Sequence, residues 1–124
     1  CLGKEADLYL FDEPSAHLDA NARMEAAKAI RRTMESNEKA AMVIDHDTYF
    51  LDIVSDSILV FQGEGGNHGQ AVGPLSLRKG MNLFLSDADV TFRRDVESHR
   101  PRINKPSSRK DRQQKLSGEY FYSD

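Results

Sequence analysis

A single cysteine, Cys1, stands in the 124 residues, which excludes an internal disulfide and any cysteine-based metal framework. No apolar run approaches the 18 residues that a membrane-spanning helix needs, and charged residues make up 30% of the chain, so no membrane partner is expected. Nor does a charged-then-apolar leader open the sequence, and an intracellular location is the expectation. The chain has no internal repeat. Its length suits one domain and is short for two ordinary ones. Because it begins without Met and enters an apolar run almost at once, it reads as a fragment of a longer protein.

The net charge of −3 conceals a division. Residues 1–92 carry 8 Lys and Arg against 15 Asp and Glu, a balance of −7. Residues 93–115 carry nine basic residues against three acidic ones, a balance of +6. A basic tail therefore follows an acidic body, and the expected division is 1–92 and 93–124.

What is present begins with Leu8-Tyr9-Leu10-Phe11-Asp12-Glu13. A continuous apolar run predicts a buried parallel strand, which delivers the two acids to its carboxyl end, where open α/β sheets bind ligands. From Ala20 to Met34 the chain is rich in helix formers, with Met24, Ala27, Ile30 and Met34 at helical spacing. Asp19 suits the amino-terminal cap, Lys28, Arg31 and Arg32 suit the carboxyl end, and Ser36-Asn37 breaks the pattern. Ala41-Met42-Val43-Ile44 predicts a second buried strand, ending in Asp45-His46-Asp47. A strand–helix–strand crossover makes parallel, right-handed neighbours, so His46 should emerge on the same sheet edge as Glu13.

Thr48–Val54 reads as a brief helix and Ser57–Phe61 as a third strand. Gln62–Gly73 reads as a Gly-rich loop, Pro74–Leu85 as a helix, and the chain beyond Phe92 as irregular. Tyr120-Phe121-Tyr122 can pin the end by aromatic burial.

Phosphoryl transfer needs a cation on the phosphate oxygens and a group that orients the attacking water, tasks two adjacent acids can divide. Asp12 would hold Mg²⁺ through water, and Glu13 would polarise the nucleophilic water, a role worth about 10²–10⁴ in rate. Any strand can end in Asp-Glu, so the pair alone is not specific. His46 adds to it, because a ring N–H beside the pair can donate to a γ-phosphate oxygen. His17, His68 and His99 share no such placement.

Two partial matches fail. Gly63-Glu64-Gly65-Gly66 lacks the Gly-Lys-[Ser/Thr] ending of a phosphate-cradling loop. Leu116-Ser117-Gly118-Glu119 lacks the second glycine of an ABC signature and follows the acid pair instead of preceding it. In the tail, Arg93, Arg94, Arg100, Arg102 and Lys105 are candidates for RNA contact through counterion release, or for a solvated or docking role.

Taken together, Asp12-Glu13-Pro14 as a Walker B end, Ser15-Ala16-His17-Leu18-Asp19 as a D-loop and His46 as a switch histidine resemble the second half of an ABC-type ATPase domain. Gly80-Met81-Asn82-Leu83-Phe84-Leu85, Thr91-Phe92-Arg93-Arg94-Asp95, Arg100-Pro101-Arg102-Ile103-Asn104-Lys105 and Ser117-Gly118-Glu119-Tyr120-Phe121 narrow this to a resemblance to ABC subfamily E, the ribosome-recycling ATPases also called RNase L inhibitor. The resemblance implies an α/β fold, a partial P-loop NTPase parallel sheet with flanking helices, followed by an extended basic hinge.

It also implies ATP and Mg²⁺ as cofactors, with Glu13 and His46 catalytic and Asp12, Ser15 and Asp19 serving nucleotide and metal. Iron–sulfur clusters would belong to an amino-terminal part outside these residues. Implied partners are the other ATPase domain of the same protein, the small ribosomal subunit and ribosomal RNA, and release-factor-like proteins, in the cytoplasm. Walker A, Q-loop and signature are not among these residues, so the chain alone should be inactive. The strand that would separate the acid-pair sheet from Ser57–Phe61 is also missing, which predicts an uncovered apolar face and marginal stability. The rival readings are a non-catalytic RNA- or ribosome-binding module that uses the tail, and another ABC-type ATPase such as a DNA-repair one.

Overall fold

The computed structural model describes residues 2–122, in two units, Cys1–Ser55 and Asp56–Asp124. Cys1 lies outside the described residues. No described helix is long and apolar enough to cross a membrane.

The first unit contains the predicted crossover. Strand β1 (Leu8–Asp12) pairs in parallel with β2 (Ala40–Ile44), with Tyr9 opposite Ala41 and Asp12 opposite Ile44. Between them runs helix α1 (Ala20–Asn37), and α2 (Thr48–Val54) follows. Asp19 caps α1 by accepting from the Ala22 N–H at 2.8 Å, as its sequence position predicts. The helix runs past Ser36 and ends where Glu38 turns left-handed, at φ 52°. Lys28, Arg31 and Arg32 therefore lie short of its last turn, and Arg31 instead pairs with Glu35 at 2.9 Å.

Ala27, Ile30 and Met34 bury one stripe of α1 against Tyr9 and Phe50. Met24 continues that stripe in sequence but is only partly buried. Strand pleating splits β1 and β2 into two unlike faces. Tyr9, Phe11 and Val43 face the helices, whereas Leu8, Leu10, Met42 and Ile44 are exposed. The expectation of strands buried on both sides thus holds for one side only, and the uncovered apolar face is present.

The second unit departs further from the sequence reading. Gln62–Gly73 is not a loop: β3 (Ser57–Glu64) and β4 (His68–Ser76) form an antiparallel hairpin with Phe61 opposite Ala71. Helix α3 begins at Leu77, not Pro74, and runs to Asp87 with Ser76 as its cap. It sits so close to β3 that a Cβ on Gly80 would lie 2.7 Å from that of Ile58.

Beyond Phe92 the chain is ordered, which corrects the irregular tail. Strands β5 (Phe92–Arg94) and β6 (Pro101–Ile103) form a small antiparallel hairpin, and α4 (Arg109–Ser117) follows. The basic hinge expected to be extended is so only in β5 and β6, and α4 follows them. The expected division at 92/93 falls inside β5.

Met81, Leu85, Phe92 and Phe121 form the core of this unit. The anticipated aromatic pin is Phe121, fully buried, while Phe92 donates its N–H to the Tyr120 carbonyl at 2.8 Å. Asn82 secures the same segment: its Nδ2 donates to the Gly118 carbonyl at 2.9 Å and its Oδ1 accepts from the Tyr120 N–H at 2.6 Å. A buried polar group, Thr91, Asn104, Asp111 and Gln114, joins β5, the end of β6 and α4. Thr91 donates to Asp111 Oδ1 at 2.6 Å and accepts from Asn104 Nδ2 at 3.0 Å.

Candidate functional site at the carboxyl ends of the parallel strands

Because β1 and β2 run in the same direction, both deliver their following residues to one edge. The Glu13 N–H donates to the Ile44 carbonyl at 2.7 Å, so the ladder continues one residue past Asp12 before the chain turns. Glu13 itself is left-handed, at φ 46°, a region where any residue with a Cβ is strained. The turn closes with the Ala16 N–H on the Glu13 carbonyl at 3.0 Å and the Leu18 N–H on that of Ser15 at 3.2 Å.

Across this edge His46 Nε2 lies 3.0 Å from Glu13 Oε1, a hydrogen bond when Nε2 carries its proton. Both side chains are open to solvent, His46 at 86% and Glu13 at 51%. Asp12 is exposed at the strand end beside them. The three residues singled out in the sequence, two acids and an imidazole, thus lie solvent-facing on one edge, with Glu13 and His46 in contact.

Ser15 and Asp19 are placed differently. Ser15 is buried and gives both its donors to Asp45, N–H to Oδ2 at 3.0 Å and Oγ–H to Oδ1 at 2.7 Å. Asp19 is occupied in capping α1. Burial alone would raise the Asp45 carboxyl. The hydrogen bonds from the Ser15 hydroxyl and from the backbone at Asp47, Ser15 and His46 outweigh it and hold the carboxyl below its usual range.

The sequence reading assigned no role to Asp45, Asp47 or Arg23. Asp47 caps α2, accepting from the Tyr49 and Phe50 N–H groups, and also takes Arg23 Nη1 at 2.8 Å. The only signal for them was that Asp45-His46-Asp47 closes β2 as Asp12-Glu13 closes β1.

The five tail candidates gather on the β5–β6 hairpin and just after it. Arg93 and Arg102 are cross-strand partners, and each has a local neighbour: Arg93 Nη1 reaches Asn104 Oδ1 at 3.0 Å, and Arg102 Nε reaches Asp95 at 3.0 Å. Arg94 donates to the His99 carbonyl at 2.8 Å. Arg100 is partly buried and Lys105 exposed. His17, His68 and His99 are scattered across two turns and the start of β4.

No cluster of three or more His, Cys, Asp and Glu side chains able to hold a metal occurs among the described residues. A magnesium ion commonly takes one or two carboxylates together with waters and phosphate oxygens. Asp12, exposed and acidic at the edge, is a suitable donor for such an ion.

No family model matches the sequence. ABC transporter E family member 1 of Arabidopsis thaliana is 47% identical over 124 residues, all of this chain and 21% of that protein. The chain belongs to the ABC E family. In the solved complex of archaeal ribosomal stalk protein aP1 with the archaeal ribosome recycling factor aABCE1, a chain 52% identical superposes with a TM-score of 0.90 over 98% of this chain and 23% of its own length. A model of ribosome-bound archaeal Pelota and ABCE1 superposes with a TM-score of 0.92 at 54% identity, over 96% of this chain and 20% of that one. This ABC E-family chain therefore has a partial P-loop NTPase fold of ABC type, with the parallel β1–β2 pair as its sheet. It spans about a fifth of the length of the curated relative it matches.

Proposed function

We propose that this chain supplies the water-orienting half of an ATP-hydrolysing site in a protein that couples nucleotide binding and hydrolysis to ribosome recycling. The observation that carries the reading is the 3.0 Å contact between Glu13 and His46 at the carboxyl ends of two parallel strands. Glu13 orients and polarises the attacking water, and His46 donates a ring N–H to the γ-phosphate. Mg²⁺, held through water by Asp12, would neutralise phosphate oxygens.

Ser15 and Asp19 belong to a turn that serves nucleotide across a pair of ATPase domains. Residues 1–92 are the ATPase part and 93–124 a basic hinge. Partners under this reading are the protein's other ATPase domain, the small ribosomal subunit with its RNA, and release-factor-like proteins. Iron–sulfur clusters belong to a part outside these residues. The isolated chain is inactive, because its sequence contains no phosphate-cradling loop.

In a protein of the relatives' full length carrying this chain, Glu13→Gln is expected to abolish turnover at this site, by about 10²–10⁴, while ATP still binds. Wild-type hydrolysis at that site by the variant would remove Glu13 from the reaction. A second reading, a non-catalytic RNA-binding module, draws on the Arg93–Arg102 pair of the hairpin. It forecasts the reverse: Glu13→Gln without effect, and weaker ribosome binding on neutralising Arg93 and Arg102.

A further inference from the structure

The turn that follows the acid pair is held at two points, and both holders flank the histidine. Ser15, near its start, gives both donors to Asp45. Leu18, near its end, offers its carbonyl to Arg23 Nε at 2.8 Å, and the same guanidinium grips Asp47 at 2.8 Å through Nη1. Asp45 also accepts the Asp47 N–H at 2.9 Å, a bond spanning two residues that folds the backbone around His46. Residues 13–19 and 45–47 are thus one hydrogen-bonded body, with Glu13 and His46 as its exposed edge.

We infer that Asp45, with Asp47 and Arg23 as a second brace, is a positioning residue for hydrolysis that fixes the Glu13 turn against His46. The inference rests on the function proposed above. Its physical ground is that the two exposed side chains have little packing of their own. Glu13 stands on a left-handed residue and His46 on an exposed segment, so their 3.0 Å separation depends on the backbones beneath them. The Asp45 carboxylate, accepting from both backbones, sets that geometry. The same body carries the turn that faces the second ATPase domain in the reading above, so a shift of that turn at Ser15 or Leu18 moves Glu13 relative to His46.

The test uses the full-length protein carrying this chain. Asp45→Asn preserves size but turns an amide NH₂ toward one of the Ser15 donors. Its kcat for ATP is expected to fall about ten- to a hundredfold, the effect of a small misplacement of a reacting group, with KM within about threefold. Ser15→Ala should lower kcat by less, and the double variant should be no worse than Asp45→Asn alone, because the two act through one contact. Arg23→Lys, which can reach Asp47 or Leu18 but not span both, should fall between wild type and Arg23→Ala.

Unchanged kcat in Asp45→Asn, alongside lost turnover in Glu13→Gln, overturns the positioning role and leaves the proposed function standing. Full turnover in Glu13→Gln overturns the function itself. Should Asp45→Asn fail to fold, Ser15→Ala carries the test: an unchanged kcat there, or additive losses with Arg23→Lys, overturns the inference.

Discussion

The turn at Glu13 and the assembly at residues 91–121 are both organised by an aspartate that accepts a hydrogen bond from a hydroxyl, yet they expose opposite things. In the first unit Asp45 holds a buried Ser15, and the acid and imidazole above them stand in solvent. In the second unit Asp111 holds a fully buried Thr91 within a network that is itself the interior, and the hairpin beside it carries arginines of which Arg102 is exposed and Arg93 and Arg94 are partly buried. The first arrangement fixes an acid and an imidazole at an edge. The second substitutes for a hydrophobic core in a segment with few apolar residues, since a fully satisfied polar network can specify a unique packing.

The largest effects should separate the two regions cleanly. Glu13→Gln is expected to remove turnover while leaving unfolding free energy within about 0.5 kcal/mol, as for an exposed side chain outside any packing feature. Phe121→Ala should do the reverse, costing the second unit about 3–5 kcal/mol by opening a cavity among Met81, Leu85 and Phe92. Amide exchange of residues 91–121 would report it, and protection unchanged from wild type would mean the aromatic pin does not hold that unit.

Thr91→Val is a smaller perturbation of the same place. It keeps the shape but leaves Asp111 and Asn104 short of a partner, at about 1–3 kcal/mol. Denaturant unfolding measures it, and a neutral result would show that the network fills space without specifying structure.

The weakest test is acid. The Thr91 hydroxyl and the Ser107 N–H hold the Asp111 carboxyl below its usual range against burial, with Lys115 adding to them. Because the folded value lies below the unfolded one of about 3.9, the stabilisation is fully present above that pH and is lost as pH falls through the lower folded value. Asp45 is displaced in the same direction, so both units should weaken in acid. Asp111→Asn should flatten that slope in the second unit and leave it in the first, read by unfolding at pH 6 and pH 3.

The first unit was legible because its elements bury apolar side chains at recognisable periods: Ala27, Ile30 and Met34 along α1, and Tyr9 beneath the acid pair. The second was less so. Helix α4 buries Asp111 and Gln114, three residues apart, while its Leu116 is exposed, so a search for an apolar stripe finds none. In β3 and β4 the glycines were misread as a loop. Gly63 and Gly73 are positive-φ positions inside strands, where a side chain would meet backbone of the partner strand. The site followed the same logic. Residues at strand ends, Asp12, Glu13 and His46, were found from the strands. Asp45, Asp47 and Arg23 are tied to this turn by contacts 24 to 30 residues apart in sequence, to which no local pattern points.

One detail of the turn reaches beyond its geometry. Glu13 occupies a left-handed backbone position that glycine would fill without strain. Selection for stability alone would therefore push position 13 toward glycine and silence the edge in the process. Under the function proposed above, the glutamate accepts that strain for the sake of its carboxylate, and a library of the full-length protein sorted by folding instead of by turnover would lose it early.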